Sequence, residues 1–560
     1  MTCAKRAALA LVRHKVEVIF GQSLPSALML AAEDEGIRQF VYRTENAAGA
    51  MADAYARICG KVGVVAAQNG PAATLLVAPL AEALKTSTPV IALVQEVNRP
   101  HTDRNAFQEL DHLRLFDGCA KWVRRIQDPE RIEDYVDMAF VAAATGRPGP
   151  AVLLFPADLL NEPAPPPSKR RSASFGRYPM DRTVADGAGV AKAATLLAEA
   201  ERPLIIAGGG VHGSGAHEEL TKLQDTASLP VAYTMMGKGV VSDDHPLTVG
   251  LIGNVMGKLS SGRQVEDLVR TADVVFLVGT RTNQNGTDSW SLYPEDAAYI
   301  HLDVDGQEVG RNYQADVRLV GDAKLTLHAL RQALAGSSLA KRMERRADIE
   351  HKVCAARQKR GEMIASVVRS DRSPIRPERL MSELQELLTP DSIIVADASY
   401  ASVWVNSYLH AVVAGQRFIT PRGLAGLGWG FPMALGAKLA RPQAPVFCLV
   451  GDGGFGHCWA ELETAARTDT AVVTIVLNNS VLGYQKDAEA VKFGRYTSAC
   501  HFGTVDHAAI ARACGAHGVR VEAAEDFRSA LQDAIERPGP VLIDVMSDPD
   551  AFPPLTMFDT

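Results

Sequence analysis

The chain of 560 residues carries 58 Lys and Arg against 65 Asp and Glu, a formal net charge of −7, with 47% hydrophobic and 22% charged residues. Such a length exceeds one hydrophobic core and calls for two to four domains, and the composition is that of a globular chain, not a disordered one. The mildly acidic balance offers no basic face to nucleic acid or an anionic membrane, and no apolar run reaches the ~20 residues of a membrane helix.

At the N-terminus, MTCAKRAALALVRHKV holds an apolar run, but Arg13, His14 and Lys15 interrupt it and no cleavage pattern follows, so an amphipathic helix is expected and not a signal peptide. Short β-branched runs then recur, each followed by a Gly, Pro or Asn turn and an Ala-rich helical stretch. In the first third the strand candidates are residues 16–20, 39–43, 62–67 and 90–95. Residues 161–182, NEPAPPPSKRRSASFGRYPMDR, cannot build a core and read as a linker. The middle third offers strands at 204–207, 274–278 and 299–302. After the first of these come Gly208, Gly210 and Gly213 in GxGxxG spacing, with Asp225 short of the usual distance; alone this motif is weak. Residues 337–377 include the charged run AKRMERRADIEHK and read as a solvated helix ended by Ser-Pro and Arg-Pro breaks. The last third has strand candidates at 393–396, 446–450 and 472–477.

This repetition predicts an α/β protein of three open, helix-flanked parallel sheets, in domains at 1–165, 183–340 and 370–550, with ligands beyond the carboxyl ends of the strands. The eight cysteines form no CxxC pair and fit the reducing cytoplasm.

The most specific segment is VFCLVGDGGFGHCWAELETAARTDTAVVTIVLNNSVLGY, residues 446–484. One buried strand ends in Gly451-Asp452-Gly453-Gly454 and the next in Asn478-Asn479, so adjacent parallel strands would bring Asp452 and Asn479 to one sheet edge. A carboxylate, an amide oxygen and a nearby backbone carbonyl, that of Val481, suit Mg2+, which prefers hard oxygens shared with phosphate. The glycines let backbone N–H groups approach a diphosphate at a helix start. Alone, Asp-Gly is usually a turn and Asn-Asn a strand end; it is their pairing that carries information. His457 and Cys458, with no paired base or second ligand nearby, read as ordinary helix residues.

GDG followed by NN at this distance resembles the signature of thiamine-diphosphate enzymes, and nearly the whole chain is similar to the acetolactate synthase family. The resemblance implies that Glu45, in FVYRTENAAGAMADAYAR, hydrogen-bonds the aminopyrimidine ring and promotes loss of the thiazolium C2 proton. In GLAGLGWGFPMALGAKLA it places Leu427 under the bent cofactor, with Ala425 and Gly426 contacting the pyrimidine through their backbone. Asn69, in Asn69-Gly70-Pro71, stands where the family's SGPG turn has serine. Phe107 and Gln108, in NAFQE, resemble the DAFQE residues that line the active site, and Lys121 matches a basic position near the substrate entrance. Residues 281–286, RTNQNG, fall near a flavin-contacting RFDDR but lack its acidic pair, so the central domain is left with FAD, an ADP moiety or no ligand.

The same resemblance implies a pyrimidine-binding, a central nucleotide-fold and a diphosphate-binding domain, and a homodimer or homotetramer in which Glu45 of one subunit meets Asp452 of another. The implied reaction is thiamine-diphosphate- and Mg2+-dependent decarboxylation of a 2-oxo acid with carboligation to a second carbonyl compound. No adjacent His-His pair is present, which weighs against an aldehyde-releasing 2-oxo acid decarboxylase. A lyase of 2-hydroxy ketones or 2-hydroxyacyl-CoA is the nearest alternative. A nicotinamide or flavin oxidoreductase would rest on Gly208 to Gly213 alone, and a non-catalytic relative would not keep Glu45, Asp452 and Asn479 together.

Overall fold

In the computed structural model, which describes residues 1–166 and 174–559, every pairing between strands is parallel and the strands make three sheets of six. The first contains β1 (Val18–Phe20), β2 (Arg38–Phe40), β3 (Gly63–Ala67), β4 (Val90–Glu96), β5 (Trp122–Arg125) and β6 (Ala151–Pro156), in the order β2-β1-β3-β4-β6-β5. The second contains β7 (Pro203–Ala207), β8 (Val231–Tyr233), β9 (Thr248–Leu251), β10 (Val274–Val278), β11 (Ala298–Asp303) and β12 (Val317–Val320), ordered β12-β11-β10-β7-β8-β9. The third contains β13 (Ile393–Ala396), β14 (Arg417–Ile419), β15 (Val446–Gly451), β16 (Val473–Asn478), β17 (His517–Val521) and β18 (Val541–Met546), ordered β14-β13-β15-β16-β18-β17.

The outer two sheets therefore have one and the same strand order, while the middle sheet has the order of dinucleotide-binding folds. Central strands such as β3, β10 and β13 are buried along their whole length because helices cover both faces. All ten anticipated runs fall on strands. β2 stops at Phe40, before the anticipated end at 43, because the N–H groups of Arg43 and Thr44 are spent on Glu461 and not on a neighbouring strand.

Two expectations need correction. The charged run is a helix, Ala340–Val368, but it is not solvated all round: Arg342, Ile349, Val353, Ala356, Arg360 and Ile364 form a buried stripe. Arg342 donates to the Glu201 carbonyl at 2.8 Å and Arg360 to that of Ser407 at 2.7 Å, so two of its charges tie it to the middle and third sheets. The 161–182 linker lies partly outside the described residues, and its described flank is no free tether. There Val62 N–H donates to the Gly176 carbonyl (2.9 Å) and the Tyr178 hydroxyl to that of Ala56 (2.9 Å). The N-terminal helix, Cys3–Arg13, is amphipathic as expected and buries Ala4, Ala7, Ala8 and Leu11.

The first and third sheets share a core through two Ala- and Gly-rich helices, Glu45–Cys59 and Gly430–Ala440. Small residues let the backbones approach. A Cβ on Gly436 would stand 2.1 Å from the carbonyl oxygen of Met51 in the facing helix, a contact no side chain tolerates.

Candidate active site

β15 and β16 are neighbours, with Gly451 opposite Leu477, so the residues just past their carboxyl ends converge. Asp452 reaches across this gap: its Oδ2 accepts the Ser480 N–H at 2.7 Å, while Oδ1 accepts that of Gly453 at 2.9 Å. Asn479 turns its Oδ1 onto the Val481 N–H (3.1 Å), and Ser480 between them takes a left-handed conformation with φ +58°. Burial pushes the Asp452 carboxyl up to about 6, against the hydrogen bonds it accepts from Ser480 and Gly453.

The donor set of carboxylate, amide oxygen and carbonyl suits Mg2+. Among the described residues no group of three or more His, Cys, Asp or Glu side chains could hold a metal unaided. A cation at Asp452 would thus draw further oxygens from a ligand, as Mg2+ does with phosphates.

The cleft around Asp452 is lined by Leu427, Gly453, Asn479, Val481 and, on another wall, Tyr400. Space is open where Gly451 would carry a Cβ, whereas one on Gly454 would meet Asp397 Oδ2 at 2.1 Å. Asp397, buried at the end of β13, accepts the N–H groups of Gly428 (2.9 Å), Trp429 (3.1 Å) and Gly430 (2.9 Å). This anchors the turn that carries Ala425, at φ +61°, with Gly426 and Leu427. Sequence reasoning missed both Asp397 and Tyr400, whose hydroxyl donates to Asp487 at 2.7 Å; neither belongs to a recognisable short motif.

Glu45 opens the helix Glu45–Cys59, behind the capping residue Thr44, whose Oγ1 accepts the Ala47 N–H at 3.3 Å. It does not line the Asp452 cleft, all of whose lining residues lie between 377 and 551.

Asn69, Phe107 and Gln108 are brought together. Asn69 Nδ2 donates to the carbonyls of Phe107 (3.3 Å) and Gln108 (3.0 Å), which gives the asparagine a bond-donating role. The Gly70 N–H donates to Nε2 of the buried His112 (3.1 Å), whose Nδ1 faces Glu96 Oε1 at 3.3 Å. Glu96 also accepts from Arg125 at 2.8 Å. Burial opposes ionisation of Glu96, yet His112 and Arg125 hold its carboxyl below the usual range. Gly70 has φ +65°, and a Cβ there would strike that of Gln108 at 2.8 Å. Gln108 Oε1 is buried without a hydrogen-bond partner, and Phe107 is 84% exposed, which excludes a core-packing role within the chain. Lys121 lies elsewhere, exposed, with its Nζ donating to the Thr145 carbonyl at 2.7 Å.

A second cleft opens at the carboxyl ends of β7 and β10, where the middle sheet's strand order reverses. Gly208 and Gly210 are demanded by the crossing loop, since a Cβ on either would lie 2.3 and 2.7 Å from Gly279. Lys85, Arg147, Arg281, Arg417 and Arg422 give this cleft a basic lining, and Asp303 stands at the end of β11. Asp225 takes no part; it pairs with His245 Nε2 at 2.9 Å.

Two outer sheets of one topology and a dinucleotide-type sheet, with an aspartate and an asparagine converging at the strand ends of one outer sheet, have the plan of thiamine-diphosphate-dependent enzymes. Comparison of sequences resolves the class further. Residues 1–115 match the thiamine pyrophosphate enzyme N-terminal TPP binding domain, 190–330 the central domain and 397–545 the C-terminal TPP binding domain. The chain is 33% identical to the probable acetolactate synthase large subunit of Methanocaldococcus jannaschii, over 97% of this chain and 92% of that one. It is 32% identical to an acetolactate synthase of Arthrospira platensis (97% and 94% covered) and 29% to the acetolactate synthase isozyme 2 large subunit of Escherichia coli K12 (96% and 94%). The chain belongs to the thiamine pyrophosphate enzyme family, as an acetolactate-synthase-like member. No helix among the described residues is long and apolar enough to cross a membrane.

Proposed function

We propose that the enzyme decarboxylates a 2-oxo acid and joins the remaining fragment to a second carbonyl compound, with thiamine diphosphate and Mg2+. The observation that carries this reading is the Asp452 carboxylate bridging the ends of β15 and β16 beside Asn479. Thiamine diphosphate, when bound, supplies the electron sink for breaking and making a bond beside a carbonyl carbon. Asp452, the Asn479 amide oxygen and the Val481 carbonyl would hold Mg2+ against the diphosphate, with the Gly451 to Gly454 backbone close to it. Leu427 would support thiamine diphosphate, Ala425 and Gly426 would meet its pyrimidine through their backbone, and Glu45 would hydrogen-bond that ring. Gln108 orients the acceptor beside Phe107, from the loop that Asn69 fastens.

A cleft lined by residues 377 to 551 alone supports a dimer, or a tetramer of such dimers, as the working unit, with Glu45 of one subunit serving the cleft of the other. The basic lining of the second cleft suits a nucleotide carrying a diphosphate, FAD or an ADP moiety, and the visible spectrum of the purified protein distinguishes them. All eight cysteines are free, which supports a cytoplasmic setting.

The test is carbon dioxide release and product identity over a panel of 2-oxo acids, with and without thiamine diphosphate and Mg2+, for the wild type and Glu45→Gln. Cofactor-dependent carboligation that the variant loses supports the reading. Tight cofactor binding with no turnover of any 2-oxo acid would replace it with a lyase acting on 2-hydroxy ketones or 2-hydroxyacyl-CoA.

A further inference from the structure

Glu461 and Glu82 occupy matching places in the two outer domains. Glu461 begins the helix Glu461–Arg467 after β15, and Glu82 lies on the helix Val77–Thr86 after β3, so each follows the third strand of its own sheet. Both are 1% exposed. Each sends its carboxylate out of its own domain, onto the loop after the second strand of the other outer sheet. Glu461 Oε1 accepts the N–H groups of Arg43 and Thr44, both at 3.1 Å, and its Oε2 accepts from Thr464 Oγ1 at 2.8 Å. Glu82 Oε1 accepts the N–H of Gly423 at 2.8 Å and its Oε2 that of Leu424 at 2.5 Å. The first of these loops runs straight into Glu45, the second into Ala425, Gly426 and Leu427.

A carboxylate is a poor choice for filling an interface, since its burial is costly unless its oxygens are used. Here burial raises both carboxyls, and backbone N–H groups of the opposite domain, otherwise without an acceptor, use the oxygens. The two bonds of each clamp fix the position and the direction of the segment beyond it.

We propose that Glu461 and Glu82 are reciprocal positioning residues, Glu461 acting through Glu45 on proton exchange at the cofactor and Glu82 acting through residues 425–427 on the seat of the pyrimidine. This rests on the roles proposed above for Glu45 and Leu427. With Glu45 serving the cleft of the opposite subunit, the two clamps of one chain hold parts of two different active sites.

The experiment uses the holoenzyme at saturating Mg2+, and reads thiamine diphosphate affinity by calorimetry and exchange of the C2 hydrogen for deuterium by acid-quench NMR. Glu461→Ala is expected to slow exchange at saturating cofactor by about tenfold or more while affinity stays within about threefold. Glu82→Ala is expected to do the reverse, weakening affinity by about tenfold or more with exchange at saturation within about threefold. Glu461→Gln keeps one oxygen for both N–H groups and should stay near wild type in both, whereas Glu82→Gln sets its amide NH2 against one of the two N–H donors and should show the Glu82→Ala loss in part. Should an alanine variant not fold, Glu461→Leu and Glu82→Leu, which fill the space but accept no hydrogen bond, take its place. If both losses appear together in each variant, or neither appears, the clamps only hold the interface together and the inference is overturned. Glu45→Gln separates the two layers of argument: normal exchange in it removes the role of Glu45 and the inference with it, whereas lost exchange beside a normal Glu461→Ala removes the inference alone.

Discussion

A single methyl group added at Gly436 should cost both stability and catalysis. In an unobstructed helix, Gly→Ala stabilises by about 1 kcal/mol. Gly361 provides that baseline: it lies in the helix Ala340–Val368 with nothing within 4 Å of the position a Cβ would take. At Gly436 the same Cβ would lie 2.1 Å from the Met51 oxygen and 2.8 Å from its carbonyl carbon, where ordinary contact begins at 3.4 Å. Both atoms are backbone, so no rotamer change relieves the overlap and the two helices must part by more than about 1 Å. Overpacking of this kind costs about 1–3 kcal/mol, enough to cancel the helix-propensity gain and leave a net loss. The parted helices begin at Glu45 and just after the Leu427 turn, and a displacement of about 1 Å among reacting groups costs on the order of 100-fold in rate. The assay is kcat with saturating thiamine diphosphate and Mg2+, beside the urea unfolding midpoint, for Gly436→Ala and Gly361→Ala. A Gly436→Ala enzyme with wild-type kcat and a midpoint raised like that of Gly361→Ala would refute the reasoning.

Asp452→Asn should abolish Mg2+-dependent retention of thiamine diphosphate, measured by calorimetry, while leaving the circular dichroism spectrum intact, since the amide keeps the shape but not the charge. Glu45→Gln and Asp452→Asn, each inactive alone, should recover about a quarter of wild-type activity when co-expressed, because half of randomly paired dimers are hybrids and each hybrid restores one of its two sites; zero recovery with hybrids demonstrated by mass spectrometry would place both residues in one subunit's site. His112→Phe should orphan the buried Gly70 N–H, cost about 1–3 kcal/mol by urea titration and lower kcat with little change in cofactor affinity. Burial holds His217 and His301 down to about 4, so the fold keeps them neutral while the unfolded chain takes up protons below about pH 6.5. Stability should therefore be full above pH 6.5 and fall as pH drops towards 4, with a shallower slope in His301→Gln, whose parent ring donates to the Thr280 carbonyl and accepts from the Gly310 N–H.

The sequence revealed those parts of the fold whose signal is local. Strands such as Val274–Val278, buried on both faces, are continuous apolar runs and were legible, although β6 and β18 went unnoticed; of the edge strands β2 was anticipated, but not β5, which reads Trp-Val-Arg-Arg, or β14, only Arg-Phe-Ile. The convergence of Asp452 and Asn479 was legible for the same reason, since each ends a strong strand and those strands adjoin. Asp397, Glu82 and Glu461 stayed hidden because their partners are backbone N–H groups, which carry no side-chain signature; those of Glu461 are more than 400 residues away. The charge of the run around Arg342 was legible but not its burial, which depends on the Glu201 carbonyl presented by the middle domain. For Phe107, residue type alone could not tell core packing from exposure; the structure leaves the ring exposed.

The identical strand order of the two outer sheets, and the clamps that cross between them in mirrored places, make this single polypeptide resemble a homodimer whose halves have been tied end to end. Two separate copies of one half would have to carry the same residue on both sides of their local axis. A continuous chain is released from that obligation. One half carries a glutamate at the head of its helix, while the other carries an aspartate and an asparagine at its strand ends. A single chain thus permits differences between its halves that symmetry would forbid.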